Sequence, residues 1–386
     1  MDRIRILYFT SSLRTGGAEH HLLELCRFMI SAGHEPAVCT ISPTEDGLER
    51  SLLDEGIQLF RLPLGSLRAL PAPRNVSAIR RITGSFKPRI VHAHLFHAEI
   101  AAAPAALIAR SPLVVTRHSA GLEFGGWRTL AARALARRCS AWIVVSREAA
   151  AEAVRTGAEP ARIHLIPNAV DPARFRPLPD PDRERGRAAL AAELFGEPVP
   201  RPFLLIGSAG TLKPVKNFPL MLRVAARLAS DSASQTGAPA LRFVIFGEGE
   251  ERAACERLAR ELGIDRMLSL PGRREDLESL YPLLDIFLLP SLSEGVPLAL
   301  LEAMSSGVAC IASDVGDVGE TMGDAGLAAP SGDEHAFVVM AQRLVKQEDK
   351  RKELGHEARV RVLERFNVDI WGERILAVYR SIKNET

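Results

Sequence analysis

Residues 285–302 read Asp285-Ile-Phe-Leu-Leu-Pro-Ser-Leu-Ser-Glu294-Gly-Val-Pro-Leu-Ala-Leu-Leu-Glu302. The opening apolar run, short and bounded by proline and serine, predicts a fully buried strand. Glycine and proline then punctuate a loop, and a Leu/Ala-rich helix pattern begins. Two glutamates eight positions apart bracket this passage from loop to helix. Helical spacing would set Glu302 about two turns beyond Glu294, on a similar face. The free amides of residues 296–299 would open the helix and could hold a phosphate. A carboxylate in the loop can accept sugar hydroxyls, and one along the helix can accept a ribose diol. The plain alternative is helix-start decoration, because acidic side chains favour that position anyway.

The same strand-then-helix texture runs outward in both directions. Strands are predicted at 4–10, 37–41, 90–94, 113–116, 141–146 and 163–167, and again at 203–208, 243–246, 267–270, 286–290, 309–313 and 327–329. Helix patterns such as 18–32 and 127–139 lie between them. This alternation predicts an α/β fold with parallel sheets covered on both faces. A chain of 386 residues exceeds what one core usually supports, so two Rossmann-like domains are expected. The stretch DPARFRPLPDPDRERG and then GEPVPRP, within 171–202, is the best linker candidate, with a short helix near 187–194. Ligands would then bind at the carboxyl ends of the sheets, in the cleft between the domains.

Composition narrows the function classes. Lys plus Arg number 49 and Asp plus Glu 47, so the net charge of +2 does not suggest a nucleic-acid partner. Residues 1–178 nevertheless carry 23 basic against 15 acidic side chains, a net +8. A basic first half hints at an anionic partner on one side. Cys26, Cys39, Cys139, Cys255 and Cys310 form no CxxC pair and have mostly apolar neighbours, which predicts buried thiols in a reducing compartment. The first residues run into a strand without a signal peptide's apolar stretch, and no apolar run reaches the roughly 20 residues of a membrane span. The expectation is a cytoplasmic protein, with at most peripheral attachment to the inner face of the cytoplasmic membrane.

Further residues carry chemistry by type and position. Gly210-Thr211-Leu212-Lys213-Pro214-Val215-Lys216-Asn217 follows the first strand of the second half, where a lysine is well placed to neutralise a diphosphate. Breaking a sugar–phosphate bond charges the leaving phosphate, and a fixed cation there stabilises the transition state. A solvated loop lysine is the plain alternative. Gly16-Gly17 follows the first strand of the chain; the pair permits close ligand approach and positive φ, or is a plain tight turn. It is not GxGxxG, which argues against a dinucleotide cofactor. His118 ends a strand and could hydrogen-bond a sugar hydroxyl, or be a satisfied structural histidine. His92, His94 and His97 form an HxHxxH cluster without further ligands of sensible spacing, so no metal is assigned to it. Asp180-Pro-Asp182 spells the DxD of metal-dependent transferases, but lies in the linker and reads as a solvated turn. The Arg-rich pattern from Trp127 to Arg138 is either a snorkelling surface helix or a contact for a membrane surface or a lipid diphosphate.

The segment around Glu294 and Glu302 resembles the glutamate–seven residues–glutamate motif of the group 1, or family 4, retaining glycosyltransferases. The likeness extends through residues 270–321 and upstream to IPNAVDPARF and TGGAEHHLLEL, covering nearly the whole chain and most specifically residues 203–332. It implies GT-B architecture, two Rossmann-like domains with a deep interdomain cleft. The acceptor-binding domain would be 1–175, the linker 176–200, and the nucleotide-sugar-binding domain 201–366, with the helix of 367–386 packing back on the first domain. It implies that Glu302 holds the ribose, Glu294 contacts the transferred sugar, Lys216 steadies the diphosphate and His118 lies near the sugar. Glu294, Lys216 and His118 are thus the expected catalytic residues. Donor binding would add Gly16, Gly17, Gly210, Thr211, Gly247 of a glycine loop, Arg273 near the base, and Gly295, Val296, Pro297 and Leu298. Thr211 stands where the family has arginine, which removes one cation.

The function so implied is retaining transfer of a hexosyl group from a nucleotide-sugar, commonly a UDP-sugar, without metal or other cofactor. The acceptor would be a glycan or lipid-linked molecule in bacterial lipopolysaccharide, polysaccharide or cell-envelope synthesis. Two rivals share these motifs: a nucleotide-sugar 2-epimerase of the same fold, which consumes donor without acceptor, and a nucleotide-sugar-binding protein with impaired catalysis.

Overall fold

Two parallel sheets organise the chain in the computed structural model, which describes residues 3–13, 16–41, 47–62, 72–118, 127–196, 199, 202–234 and 236–383. The first sheet comprises β1 (Arg5–Thr10), β2 (Glu35–Thr40), β3 (Gln58–Arg61), β4 (Ile90–His94), β5 (Leu113–Arg117), β6 (Ala141–Val144) and β7 (Ile163–Leu165). Their order across the sheet is β3-β2-β1-β4-β5-β6-β7. The second comprises β8 (Phe203–Ala209), β9 (Ala240–Phe246), β10 (Leu268–Gly272), β11 (Ile286–Leu289), β12 (Ala309–Ser313) and β13 (Leu327–Ala329), ordered β10-β9-β8-β11-β12-β13. Both are the doubly wound arrangement, in which the chain works outward from the middle in one direction and then in the other. The fold is α/β, with two Rossmann-like sheets.

Each sheet is buried on both faces. In β8 the side chains alternate, so that Leu204 and Ile206 enter one core while Phe203 and Leu205 enter another. Helices cover those faces because their apolar stripes must be removed from water. The short strand β3 has no counterpart among the expected strands. It is a polar edge strand with exposed ends, so it lacks the apolar run that marks a buried one.

The chain divides into two compact units, residues 1–168 with 368–386, and residues 169–367. The final helix, Val368–Lys383, belongs to the first unit and packs on the helix Gly17–Ser31. Gly372 lies so close to the Phe28 ring that a Cβ there would come within 2.3 Å of it. The Tyr379 hydroxyl meets the Tyr8 hydroxyl at 3.2 Å and His92 Nδ1 at 2.6 Å, both buried.

Residues 176–200, read above as linker, lie within the second unit and carry a 16-residue helix, Asp180–Phe195. Asp180-Pro-Asp182 is solvent-exposed as expected, but it is the first turn of this helix rather than a turn in a linker. Proline at the start has the right φ, the two acids face the positive helix end, and Gly196 closes the helix at φ 74°. Arg187 and Arg183 fasten this helix to the sheet: both bond Asp285, at 2.8 and 2.9 Å, and Asp285 also accepts from the Leu205 amide.

All five cysteines are buried free thiols. Among the described residues no helix is long and apolar enough to cross a membrane.

Candidate active site

In the second unit β8 and β11 are neighbours from which the chain winds away in opposite directions, so their carboxyl ends form the switch point where α/β folds bind ligands. The loop after β8 reaches a single 3₁₀ turn, Pro214–Lys216, and the helix Phe218–Ala233. The loop after β11 holds Ser291 and Glu294. A backbone bond from the Leu292 amide to the Val215 carbonyl, 2.8 Å, ties the two loops together. Across this tie Lys216 Nζ donates to Glu294 Oε1 at 2.5 Å, and Ser291 Oγ donates to the same oxygen at 2.7 Å. The pair is largely covered, with 21% of the Lys216 side chain and 11% of that of Glu294 exposed. Low exposure strengthens the charge interaction and holds both groups in place.

Glycines let the surrounding loops close on this centre. At Gly316, φ 55°, a Cβ would stand 2.0 Å from the Glu294 carbonyl oxygen, so the loop after β12 presses directly on the Glu294 backbone. At Gly247, φ 149°, a Cβ would stand 1.9 Å from the Gly210 carbonyl oxygen. The loops after β8 and β9 therefore touch backbone to backbone, joined by the bonds Gly210 N to Phe246 O and Leu212 N to Glu248 O. Thr211 lies exposed on this loop, and Arg273 is exposed beside the end of β10.

Helix geometry revises one expectation. The helix after β11 is Leu298–Ser305, and Pro297 is its cap. Glu294 and Gly295 therefore lie in the loop, and Glu302 is little more than one turn into the helix, so the two glutamates do not share a helical face. Proline at 297 sets this start, being favourable at a helix beginning and unfavourable inside. The first-turn amides of residues 298–300 are those a helix leaves without an intrahelical acceptor, and Val296 and Pro297 are buried beneath them. Glu302 is half-buried beside Tyr281, whose hydroxyl is held well above its usual pKa range by burial and then by the Glu302 carboxylate.

In the first unit β1 and β4 flank the corresponding switch point. Gly16 caps the helix Gly17–Ser31 in an extended conformation, φ −156°, so the glycine pair does not use positive φ. A Cβ on Gly16 would meet only the end of the Glu19 side chain, Oε2 at 2.6 Å, which can swing aside. This helix carries the buried His21, whose ring lies 4.6 Å from that of His118, edge to face. His94 Nδ1 and His118 Nε2 are 3.0 Å apart, and Trp371 of the final helix packs on His21. Burial, first among the causes, holds His94 and His118 well below the usual histidine pKa and pushes His21 down to about 4. Burial thus favours the uncharged form of all three rings.

The HxHxxH segment separates. His92 spends both ring nitrogens on hydroxyls, Nδ1 on Tyr379 and Nε2 on Thr116 at 2.7 Å, and is a satisfied structural histidine. His97 is exposed. Next to His118, Arg117 Nη2 donates to the buried Glu99 Oε2 at 2.9 Å and its Nε pairs in charge with Glu99 Oε1 at 2.7 Å, with Glu152 at 3.7 Å and the Trp142 ring at 5.0 Å. Residues 119–126, and the side chains of 127–131 in the helix Trp127–Ala136, lie outside the described residues.

Sequence reasoning missed Ser291, His21, Asn168 and Trp371. Ser291 stands in the quoted stretch three positions from Glu294, and His21 and Asn168 stand inside TGGAEHHLLEL and IPNAVDPARF. Trp371 had no local signal, because a helix 350 residues distant in sequence from His21 brings it there.

Residues 15–174 match the family described as Glycosyltransferase Family 4, and residues 195–361 match Glycosyl transferases group 1. EpsF of Bacillus subtilis (strain 168), a protein named as a glycosyltransferase, is 28% identical over 80% of this chain and 79% of its own length. The Escherichia coli UDP-Gal:alpha-D-GlcNAc-diphosphoundecaprenol alpha-1,3-galactosyltransferase is 27% identical over 70% of each chain. In fold, the chain superimposes on Anabaena Alr3699/HepE, solved in complex with UDP and glucose, with a TM-score of 0.82 over 98% of this chain and 100% of that one, at 19% identity. Doubly wound sheets with switch-point loops in both units agree with these matches: the chain belongs to the group 1, family 4 glycosyltransferases, sugar-transferring enzymes of the GT-B fold.

Proposed function

We propose that this hexosyltransferase moves a sugar from a UDP-sugar to a glycan or lipid-linked acceptor, with retention at the anomeric carbon, in bacterial envelope or surface-polysaccharide synthesis. The observation that carries the reading is the Lys216–Glu294–Ser291 cluster at the switch point of the second sheet. A lysine fixed there can steady the donor's diphosphate as the leaving phosphate gains charge, without a metal ion. Glu294 positions the transferred sugar and Glu302 holds the ribose, while the first-turn amides of residues 298–300 add dipoles for phosphate. His118 assists at the sugar as a neutral imidazole. Retention would proceed by front-face attack, the donor phosphate taking the proton of the acceptor hydroxyl. UDP and glucose in the HepE structure, and the UDP-galactose and diphosphoundecaprenol of the E. coli relative, support the choice of donor nucleotide and acceptor class.

A panel of UDP-, GDP- and ADP-sugars, each with and without lipid-diphosphate-linked and free glycan acceptors, tests the reading. Acceptor-dependent release of UDP that survives excess chelator, with an α-linked product from an α-linked donor, is expected. Donor consumption without acceptor, or turnover restored to a chelated enzyme only by magnesium or manganese, contradicts it.

A further inference from the structure

We propose that His21, His94 and His118 form a binding site for one first-row transition cation, of which zinc is the type, within the first unit. One ring nitrogen from each lies within 4.8 Å of the other two. The closest pair, His94 Nδ1 and His118 Nε2 at 3.0 Å, is near the roughly 3.3 Å that separates two nitrogens on a tetrahedral zinc with bonds of about 2.0–2.1 Å. A cation can therefore take the place of the proton these rings share, and His21 needs to close by at most about 1.5 Å from the 4.8 Å limit.

A second observation points to a ligand. His21 Nδ1 faces Asn168 Oδ1 at 3.0 Å, which places its proton on Nδ1 and its lone pair on Nε2. That Nε2 is buried and, among the described residues, has no hydrogen-bond partner. A histidine whose far nitrogen donates to an amide oxygen while its near nitrogen offers a bare lone pair is arranged as metal-ligating histidines are. Burial disfavours the charged form of all three rings, so binding need not discharge an imidazolium; the N–H in the His94–His118 bond moves to the other nitrogen of its own ring. His118 is only half-buried and gives access.

Neutral nitrogen ligands without a carboxylate select zinc, cobalt, nickel or copper over magnesium, calcium or manganese. Three ligands leave a fourth position for water. Because His118 is assigned to the sugar in the proposed function, occupancy should also inhibit transfer. That consequence rests on the proposed function; the binding itself does not.

The test uses the full chain, with zinc titrated by calorimetry and cobalt followed by visible absorption. Expected are one equivalent of zinc, a strong tetrahedral cobalt spectrum without a thiolate charge-transfer band, and no binding of magnesium. In His21→Gln and His94→Gln, checked for folding by circular dichroism, zinc affinity should fall by more than about a hundredfold. Loss of even an outer partner of a ligating histidine costs about ten- to a hundredfold. A weak octahedral cobalt spectrum, a thiolate band, or unchanged zinc affinity in the folded variants would overturn the site. If neither variant folds, the wild-type cobalt spectrum alone decides between these outcomes. Zinc binding with these signatures but without inhibition would leave the site standing and count against the role given to His118.

Discussion

Lys216 and Glu294, 78 positions apart in sequence, share a charge-assisted hydrogen bond of 2.5 Å at the switch point of the second sheet. The backbone bond between the loops that carry them makes the pair a property of the scaffold rather than of two mobile side chains. The cation and the carboxylate come from loops that follow two neighbouring strands, and in the proposed function they serve the diphosphate and the sugar.

The second unit also depends on a buried ion pair away from this centre. Arg187 and Asp285 are 7% and 5% exposed in their side chains and 2.8 Å apart. Asp285→Ala would leave the buried Arg187 guanidinium with only the half-exposed Glu184, at 3.3 Å, as counter-ion, and the Leu205 amide without its acceptor. A loss of about 3–5 kcal/mol is expected in urea unfolding. An unchanged midpoint would show that the pair does not hold the helix Asp180–Phe195 to the sheet.

Much of the fold is legible in the sequence because buried parallel strands are short apolar runs. β4, β12 and β13 lie at 90–94, 309–313 and 327–329, where they are expected. What escapes has no local signature. β3 is polar because it is an edge, and the helix Asp180–Phe195 is masked by proline and charge that serve as its start. The Arg187–Asp285 pair spans 98 positions, and the His21–Asn168 bond spans 147. Glu294 and Lys216, singled out in the sequence by type, position and resemblance, are brought together by the fold, while His118 lies in the other unit beside His94. Their partners Ser291 and His21 emerge only once the loops and helices are placed.

Glu99 provides a pH test in the first unit. Burial, with the charge of Glu152 adding to it, pushes its carboxyl up to about 7, while Arg117 acts the other way. A carboxyl raised in the folded state favours folding while it is protonated. Its contribution is therefore full below the ordinary glutamate range and is lost as pH rises to about 7. Relative to Glu99→Gln, the wild-type protein should lose stability of the order of 3 kcal/mol between about pH 4.5 and 7, and no more above that. Denaturant unfolding of both proteins across this range checks it; a constant difference would show that Glu99 is ionised throughout.

The basic first half bears on the acceptor. If it serves an anionic lipid-linked molecule, the protein should sediment with anionic vesicles at low salt, and less so as screening rises. Equal recovery with neutral and anionic vesicles would remove the membrane from the account.

Glu302→Gln and Lys216→Ala, assayed side by side, test the centre itself. Replacing the Glu302 carboxylate weakens hydrogen bonds to the ribose, by about 1.5–3 kcal/mol, or roughly ten- to a hundredfold in nucleotide affinity. Lys216→Ala should strike the chemical step, lowering turnover by about a hundredfold or more, because the leaving phosphate gains charge beside that lysine. Calorimetry with UDP and steady-state transfer separate the two effects. The account predicts a binding defect in the first variant and a turnover defect in the second, both proteins remaining folded. Wild-type turnover in a folded Lys216→Ala protein, with Glu302→Gln binding UDP as tightly as the parent, would contradict it.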